Sequence, residues 1–185
     1  MVGQIQKRLF TVSEYYKMAE VGILQPDQNV ELINGEILQM SPQKSFHAGV
    51  VDLLAYLLRE VLDGHQYWVR THSPVALNNF SEPEPDLAVV KRRSDFYRNA
   101  HPQPADIFLI IEVSDTTLKK DRQIKLPLYA AAGIQTYWIV NLGKKEIEVY
   151  ELAGSEYQLH QICKSGDLLK SNNLNFALQL SELFG

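Results

Sequence analysis

In the first third of the chain, the spacing of apolar and polar residues changes twice along the sequence. At Thr11-Val12-Ser13-Glu14, the order of residues is that of a capping box, which predicts a short helix from about Ser13 to Glu20. Residues 30–38 then alternate between apolar and polar on both sides of Asn34-Gly35, which is typical of a β-hairpin with a two-residue turn. From Ser45 to Leu62 the apolar residues recur at helical spacing and predict an amphipathic helix.

The middle of the chain contains a series of short, mainly apolar runs that predict strands. The most apolar run, Ile107 to Val113, has the composition of a strand that is buried on both faces of a sheet. A Glu-Pro-Glu-Pro sequence favours extended backbone before a second apolar strand at Asp86 to Val90. Two further strands are predicted upstream, at Gln66 to Thr71 and at Val75 to Leu77.

A helix is predicted from Leu118 to Ala132, with Pro127 either kinking it or lying in its first turn. The strand predicted at Thr136 to Asn141 follows this helix. Strand, helix and strand in this order form a βαβ unit, whose two strands run parallel in one sheet. Two runs around Gly154-Ser155 predict an antiparallel hairpin, and the tail after Leu174 predicts a short strand and a helical turn.

Together these elements predict an α/β (α+β) fold with a central mixed β-sheet, flanking helices and additional β-hairpins. The length of 185 residues suits one domain, 1–185. No apolar run approaches the roughly 20 residues of a membrane span, and the N-terminus lacks the pattern of a signal peptide, so we expect a cytoplasmic protein without membrane association. The single cysteine, Cys163, excludes an internal disulfide. Four aromatic residues of the predicted strands are expected in the core: Trp68, Tyr137, Trp138 and Tyr150.

Charge alone does not indicate a nucleic-acid-binding protein, because the net charge is −4 and the pI about 5.7. Positive charge is nevertheless concentrated in two clusters. Lys91-Arg92-Arg93 and Arg98 follow the Asp86 strand in a loop positioned to reach a DNA backbone, and the second cluster is Lys119, Lys120, Arg122 and Lys125. Each cluster is either ordinary solvated surface or a set of salt-sensitive phosphate contacts.

Acidic residues at the ends of apolar strands are the main chemical signal. Asp86 begins one buried strand, and Glu112 lies at the end of the most apolar one. An unpaired charge in an apolar wall is costly, and a shared divalent cation would remove that cost. The alternative is that each carboxylate is solvated at an exposed strand end. Asp121, Lys125 and Tyr129 follow at intervals of four, which places them on one helical face, either as an ordinary surface pair or with the ammonium near a metal-bound phosphate.

The ordered segments resemble a known superfamily. Glu84-Pro85-Asp86, then Ile111-Glu112-Val113-Ser114, then Asp121 through Lys125 to Tyr129 are similar to the pattern of the PD-(D/E)XK nucleases. More narrowly, they resemble a bacterial family of restriction-endonuclease-like proteins once classed as a domain of unknown function. Residues 30–37, Met40-Ser41-Pro42 with His47, and residues 131–140 also match that family, so the resemblance covers most of the chain from about Phe10 to Tyr150.

The resemblance implies a restriction-endonuclease-like fold and a set of roles. Asp86 and Glu112 would be metal ligands, joined by the Val113 carbonyl, and Mg²⁺ or Mn²⁺ would be the metal. The superfamily lysine is expected two residues after the acid, where this chain has Ser114, so Lys125 on the next helix would be its counterpart.

Two further positions carry over from the family. Glu31 would be the early glutamate that completes the metal site through water. His47 is either a phosphate contact or a histidine whose hydrogen bonds are made within its helix. Asp121, Tyr129 and Ser114 would be accessory.

The sequence therefore predicts a metal-dependent endonuclease that hydrolyses DNA and acts as a homodimer on the two related strands of a duplex. A nuclease-fold module without cleavage activity, which binds DNA or another protein, remains the alternative, and so does RNA as the substrate. The histidines show no zinc-hydrolase spacing, and no nucleophile-elbow or phosphate-binding glycine motif occurs.

Overall fold

The structure is a computed structural model that describes residues 6–171, 173–181 and 183–184. It begins with helix α1 (Val12–Glu20), where Thr11 and Glu14 form the predicted capping box. The predicted hairpin follows as strands β1 (Val30–Ile33) and β2 (Glu36–Gln39). Asn34 and Gly35 form its turn with φ values of 50° and 75°, the left-handed conformation that a two-residue hairpin turn requires.

Helix α2 (Ser45–Val61) confirms the helical period predicted for this segment. Its buried residues lie on one face, as the spacing of three and four residues requires, and they pack against one side of the central sheet. They are Val50, Val51, Leu54, Ala55 and Leu58.

The central sheet is mixed, as predicted. Its strands are β3 (Tyr67–Thr71), β4 (Leu87–Lys91), β5 (Ile107–Ser114), β6 (Thr136–Asn141), β7 (Glu146–Ala153) and β8 (Glu156–Lys164), and they lie side by side in this order. The β5 and β6 strands are parallel, and the other neighbouring pairs are antiparallel. A 3₁₀ turn (Pro104–Asp106) leads into β5.

The helical connection between β5 and β6 differs from the single helix that was predicted. It consists of a short helix α3 (Leu118–Lys120), a π-helical turn (Asp121–Lys125) and helix α4 (Leu126–Ala131). Pro127, at the start of α4, has no N–H and its ring disfavours a normal α-helical turn before it. The chain adopts the wider π turn there, in which the Leu126 N–H bonds to the Asp121 carbonyl. Such π turns are frequent at functional sites.

The C-terminal tail forms a hairpin of strands β9 (Leu168–Ser171) and β10 (Phe176–Gln179). The β10 strand was predicted, whereas β9 was not. Leu169, Phe176 and Leu178 pack into the core formed with α2. The predicted terminal helical turn includes residue 182, which lies outside the described residues.

The strand predicted at Val75 to Leu77 is wrong. The backbone N–H groups of these residues donate to the carbonyls of Pro83, Pro102 and Ser81. Proline has no N–H to return such a bond, so a regular ladder does not form and the segment remains a loop.

Hydrophobic residues on the two faces of the sheet form two core clusters, one under α2 and the tail, the other under α4 and the β1–β2 hairpin. Tyr137 and Trp138 are fully buried, as predicted, and Cys163 is buried on β8. The core position predicted for Trp68 is wrong, because its side chain is 40% exposed on edge strand β3. None of the helices among the described residues has the length and apolar content that crossing a bilayer requires.

Candidate active site

Glu112 occupies a buried position near the end of β5, with 4% of its surface exposed. Lys125 Nζ donates a hydrogen bond to its Oε1 at 2.8 Å, and Tyr129 Oη donates to the same oxygen at 3.0 Å. Lys125 and Tyr129 therefore lie on one face of the connection, as their spacing predicted. The surface-pair interpretation of Lys125 is wrong, because that side chain is only 5% exposed.

Asp86, just before β4, lies beside the Glu112–Val113 peptide. The Val113 N–H donates to Asp86 Oδ2 at 2.8 Å. His47 Nε2, from α2, lies 3.2 Å from the same oxygen, and His72 Nδ1 lies 3.6 Å from Oδ1. The hydrogen bond to Asp86 raises the pKa of His47 despite its burial, and a further hydrogen bond to the Val113 backbone adds to this shift. His47 thus interacts with two of the predicted metal ligands, Asp86 and Val113.

Glu31, in β1, contacts two lysines of the β5–β6 connection. Its side chain is 0% exposed, with Oε1 2.5 Å from Lys120 Nζ and Oε2 3.3 Å from Lys125 Nζ. The Glu84 N–H also donates to Oε2 at 3.1 Å. In this structure Glu31 therefore positions the ammonium groups, while its role as a water-mediated metal ligand stays a prediction.

Asp121, in the π turn, is buried and accepts hydrogen bonds from Ser114 Oγ at 2.6 Å and Thr117 Oγ1 at 2.8 Å. Burial raises its pKa, while Lys125 and the two hydroxyl groups oppose the shift. Ser114, at the position where the superfamily lysine was expected, therefore supports Asp121 and joins the end of β5 to the π turn.

The electrostatics of the site favour an additional positive charge. Burial raises the pKa of Glu112 to about 8; Lys125 opposes this shift, and Asp86, Asp121 and Glu31 add to it. Burial lowers the pKa of Lys125, but Glu112, Glu31 and Asp121 more than compensate and raise it above its ordinary value. The pKa of Glu112 is therefore raised mainly by burial, whereas the pKa of Lys125 is raised by the carboxylates around it.

A cleft of about 350 Å³ lies beside Glu112, and its wall includes His47, His72, Asp86 and Lys125. Five carboxylates interact electrostatically in and beside this cleft, and two lysine ammonium groups are their positively charged partners. The carboxylates are Glu31, Glu84, Asp86, Glu112 and Asp121, and the lysines are Lys120 and Lys125.

The predicted metal ligands fit a hard divalent cation. Mg²⁺ usually takes one or two carboxylates and fills its remaining positions with water and substrate phosphate. Asp86, Glu112 and the Val113 carbonyl provide two carboxylates and one backbone oxygen, and the Val113 N–H joins Asp86 to the strand that carries Glu112. Within the described part of the chain, no three His, Cys, Asp or Glu side chains group as metal ligands, so water and phosphate would have to complete the shell.

Sequence reasoning did not single out three residues that the structure brings to the site. Lys120 belonged to a basic cluster, but nothing marked it as the partner of Glu31. His72 and Thr117 lie in loops without a recognisable pattern. Their contacts depend on how these loops pack, so no signal in the sequence could have identified them.

The mixed six-stranded sheet, with the acidic cleft beside the parallel β5–β6 pair, defines a restriction-endonuclease-like α/β protein. The chain belongs to the Uma2 family, described as "Putative restriction endonuclease", whose model matches residues 12–181. The predicted resemblance to this family is thereby confirmed.

A solved structure described as "a putative nuclease belonging to DUF820 from Anabaena variabilis ATCC 29413" is similar in fold, with a TM-score of 0.69 and 15% sequence identity. The match covers 95% of this chain and 97% of that one. A search of the curated proteins found no match.

Proposed function

We propose that this protein is a divalent-metal-dependent endonuclease that hydrolyses phosphodiester bonds in DNA. Family membership supports a nuclease-like function. The observation that carries the finer proposal is the convergence of Asp86, Glu112 and Lys125, which are far apart in sequence, at the Glu112–Val113 peptide.

Asp86, Glu112 and the Val113 carbonyl would hold Mg²⁺ or Mn²⁺. A divalent cation bound there supplies Lewis-acid polarisation of the phosphate and activation of a water molecule. The residues of the chain stabilise charge and position the reacting groups. Lys125 remains protonated because its pKa is raised, so it stabilises negative charge on the phosphate rather than accepting a proton. Glu31 and Tyr129 hold Lys125 and Glu112 in place.

The proposal is tested with supercoiled plasmid, purified protein, and Mg²⁺ or Mn²⁺, with EDTA as the metal-free control. We expect nicking or linearisation that EDTA abolishes. Asp86→Asn should remove activity, and Lys125→Met should reduce the rate roughly 10²–10³-fold, the usual cost of losing one preorganised group that stabilises transition-state charge. Asp52→Asn, a matched change on the exposed face of α2, should cleave like the parent protein. Parental activity in Asp86→Asn would refute the site.

A second candidate is a nuclease-fold module that binds DNA or a protein without cleaving. The observation in its favour is that Lys125 Nζ lies 2.8 Å from Glu112 Oε1, so an ammonium group of the protein itself can neutralise this carboxylate. In that case the plasmid would remain intact under every metal tested, and Mg²⁺ would not raise the melting temperature of the protein. A metal-dependent increase in melting temperature that Asp86→Asn removes would contradict this alternative.

We also propose a homodimer, since the two strands of a duplex are related by approximate two-fold symmetry and a two-fold dimer would present one cleft to each. Light scattering coupled to size-exclusion chromatography tests this directly. A monomeric mass at the concentration that linearises plasmid would contradict it.

A further inference from the structure

A second surface lies along edge strand β3 and the loop that follows β4. Residues 91–98 carry four positive charges and one negative charge, although the chain as a whole has a net charge of −4. This concentration of positive charge favours an anionic ligand at this edge of the sheet.

Two aromatic rings are exposed beside these charges. Trp68 on β3 and Phe96 in the loop pack edge to face with their ring centroids 5.1 Å apart, yet 40% of Trp68 and 39% of Phe96 remain exposed. Adjacent apolar groups rimmed by charged residues are typical of an interaction site.

Arginine side chains lie against the rings of the same loop. The Arg98 guanidinium is 5.8 Å from the Phe96 ring centroid, and those of Arg93 and Arg70 lie 4.8 and 5.6 Å from the Tyr97 ring. A guanidinium held against a ring is fixed in orientation and still has N–H donors for a phosphate. Arg93 shares its donors with Asp95, so Arg70 and Arg98 are the better candidates for phosphate contact.

The loop backbone gives its two rings opposite exposures. Phe96 and Tyr97 both have positive φ, at 52° and 57°, which is uncommon for bulky residues. Tyr97 is buried and its hydroxyl donates to the Lys91 carbonyl at 2.6 Å, whereas Phe96 remains on the surface beside Trp68. The strained loop thus presents one ring to solvent and anchors itself with the other.

The β3 strand connects this surface to the cleft. His72, directly after β3, contacts Asp86, and Trp68 lies four residues earlier on the same strand. At about 3.3 Å per residue, the two positions are separated by ~13 Å. A ligand of modest length can therefore reach both.

We propose that this arginine–aromatic surface, formed by Trp68, Arg70, Arg93, Phe96 and Arg98, binds a single-stranded segment of nucleic acid. Exposed bases stack on the two rings and the phosphates lie against the guanidinium groups, the combination used by proteins that bind single strands. The inference rests on the proposed function in that the bound strand continues into the cleft at Asp86. An acidic peptide would satisfy the arginines but would leave the rings without stacking partners.

The test uses a short oligodeoxythymidine in EDTA, so that binding is measured without cleavage. Trp68 is exposed and Trp138 is buried, so a base that stacks on Trp68 should quench the exposed part of the tryptophan fluorescence. Trp68→Phe, which keeps a ring at this position, should abolish the quenching while retaining much of the binding, as followed by the anisotropy of a labelled oligonucleotide.

Two further variants test the rings and the charges separately. Phe96→Ala should weaken binding roughly 5- to 150-fold, the ratio that corresponds to losing ~1–3 kcal/mol of stacking on one base. Arg98→Gln should weaken binding and reduce its salt dependence. The matched controls lie on or near strand β8, at the opposite edge of the sheet: Leu159→Ala removes an exposed apolar side chain and Lys170→Gln removes one charge, and both should bind like the parent. Circular dichroism checks that each variant is folded.

The inference is overturned if the oligonucleotide does not bind, if folded Phe96→Ala and Arg98→Gln bind like the parent, or if a duplex or an acidic peptide binds equally well. Its outcome is separable from that of the nuclease proposal. Plasmid cleavage without Trp68 quenching leaves the nuclease and removes this surface. Quenching that is lost in the variants, without cleavage under any metal, keeps the surface and removes the nuclease.

Discussion

Replacement of Glu31 by alanine is the sharpest stability test that the structure offers. Glu31 is fully buried and faces two ammonium groups, those of Lys120 and Lys125, together with the Glu84 N–H. Removing one partner of a buried ion pair costs about 3–5 kcal/mol, because an uncompensated charge is left behind.

The structure places the expected loss at the lower end of that range. Lys125 retains Glu112 at 2.8 Å, and Lys120, with its side chain 22% exposed, can turn towards water. The Glu84 N–H loses its acceptor, which costs about 1–3 kcal/mol if water does not replace it. We therefore expect Glu31→Ala to lower the free energy of unfolding by about 3 kcal/mol. For a chain of this length, that corresponds to a fall of roughly 6–12 °C in melting temperature.

The matched control is Glu36→Ala in the other strand of the same hairpin. Glu36 pairs with Lys7 at 2.7 Å, but their side chains are 45% and 74% exposed. Exposed pairs of this kind add little to stability, so the control should melt close to the parent protein. Urea unfolding at neutral pH, followed by circular dichroism, provides both free energies. If the two variants lose the same stability, Glu31 does not neutralise the buried lysines and the account of the site is wrong.

Two further predictions concern the backbone and the first helix. Gly35→Ala should destabilise the protein by more than ~1 kcal/mol, since the new Cβ would lie 2.6 Å from Leu9 Cβ at a φ of 75°. Gly154→Ala, with a φ of 70° in open space, measures the cost of the positive φ alone. Equal losses of unfolding free energy in urea would exclude the clash with Leu9. Hydrogen bonds from Arg8 and the helix cap lower the pKa of Glu14 to about 2. The stabilisation they provide is complete above pH 4.5 and is lost as the pH falls towards 2, so the Glu14 carboxyl should titrate by NMR near 2. A midpoint near 4.5 would show that neither the Arg8 pair nor the capping box is formed.

Sequence reasoning succeeded where the cause of a structure is local. The Asn34-Gly35 turn and the Thr11–Glu14 capping box depend on residues within one turn, so their chemistry is visible in the printed sequence. The apolar run at Ile107 to Val113 identified the buried strand, and its acid, Glu112, is indeed buried. Metal binding and catalysis at this position remain predictions.

Sequence reasoning failed where a segment depends on distant neighbours. The loop at Val75 to Leu77 has strand-forming residues, but two of the three carbonyls that its N–H groups bond to belong to prolines. Trp68 is a residue type typical of cores, but its strand lies at the edge of the sheet, where its side chain remains partly exposed. Neither outcome follows from propensity, because both depend on which segment packs alongside.

The sequence by itself determined most of the strands and helices, the hairpin turn, and the family indicated by Asp86, Glu112 and Lys125. The tertiary structure alone decided that Glu31 contacts two lysines about ninety residues away in the chain. The physical reason is that these contacts arise where the β1–β2 hairpin meets the β5–β6 connection with its π turn, and long-range packing rather than the chemistry of neighbouring residues sets that arrangement.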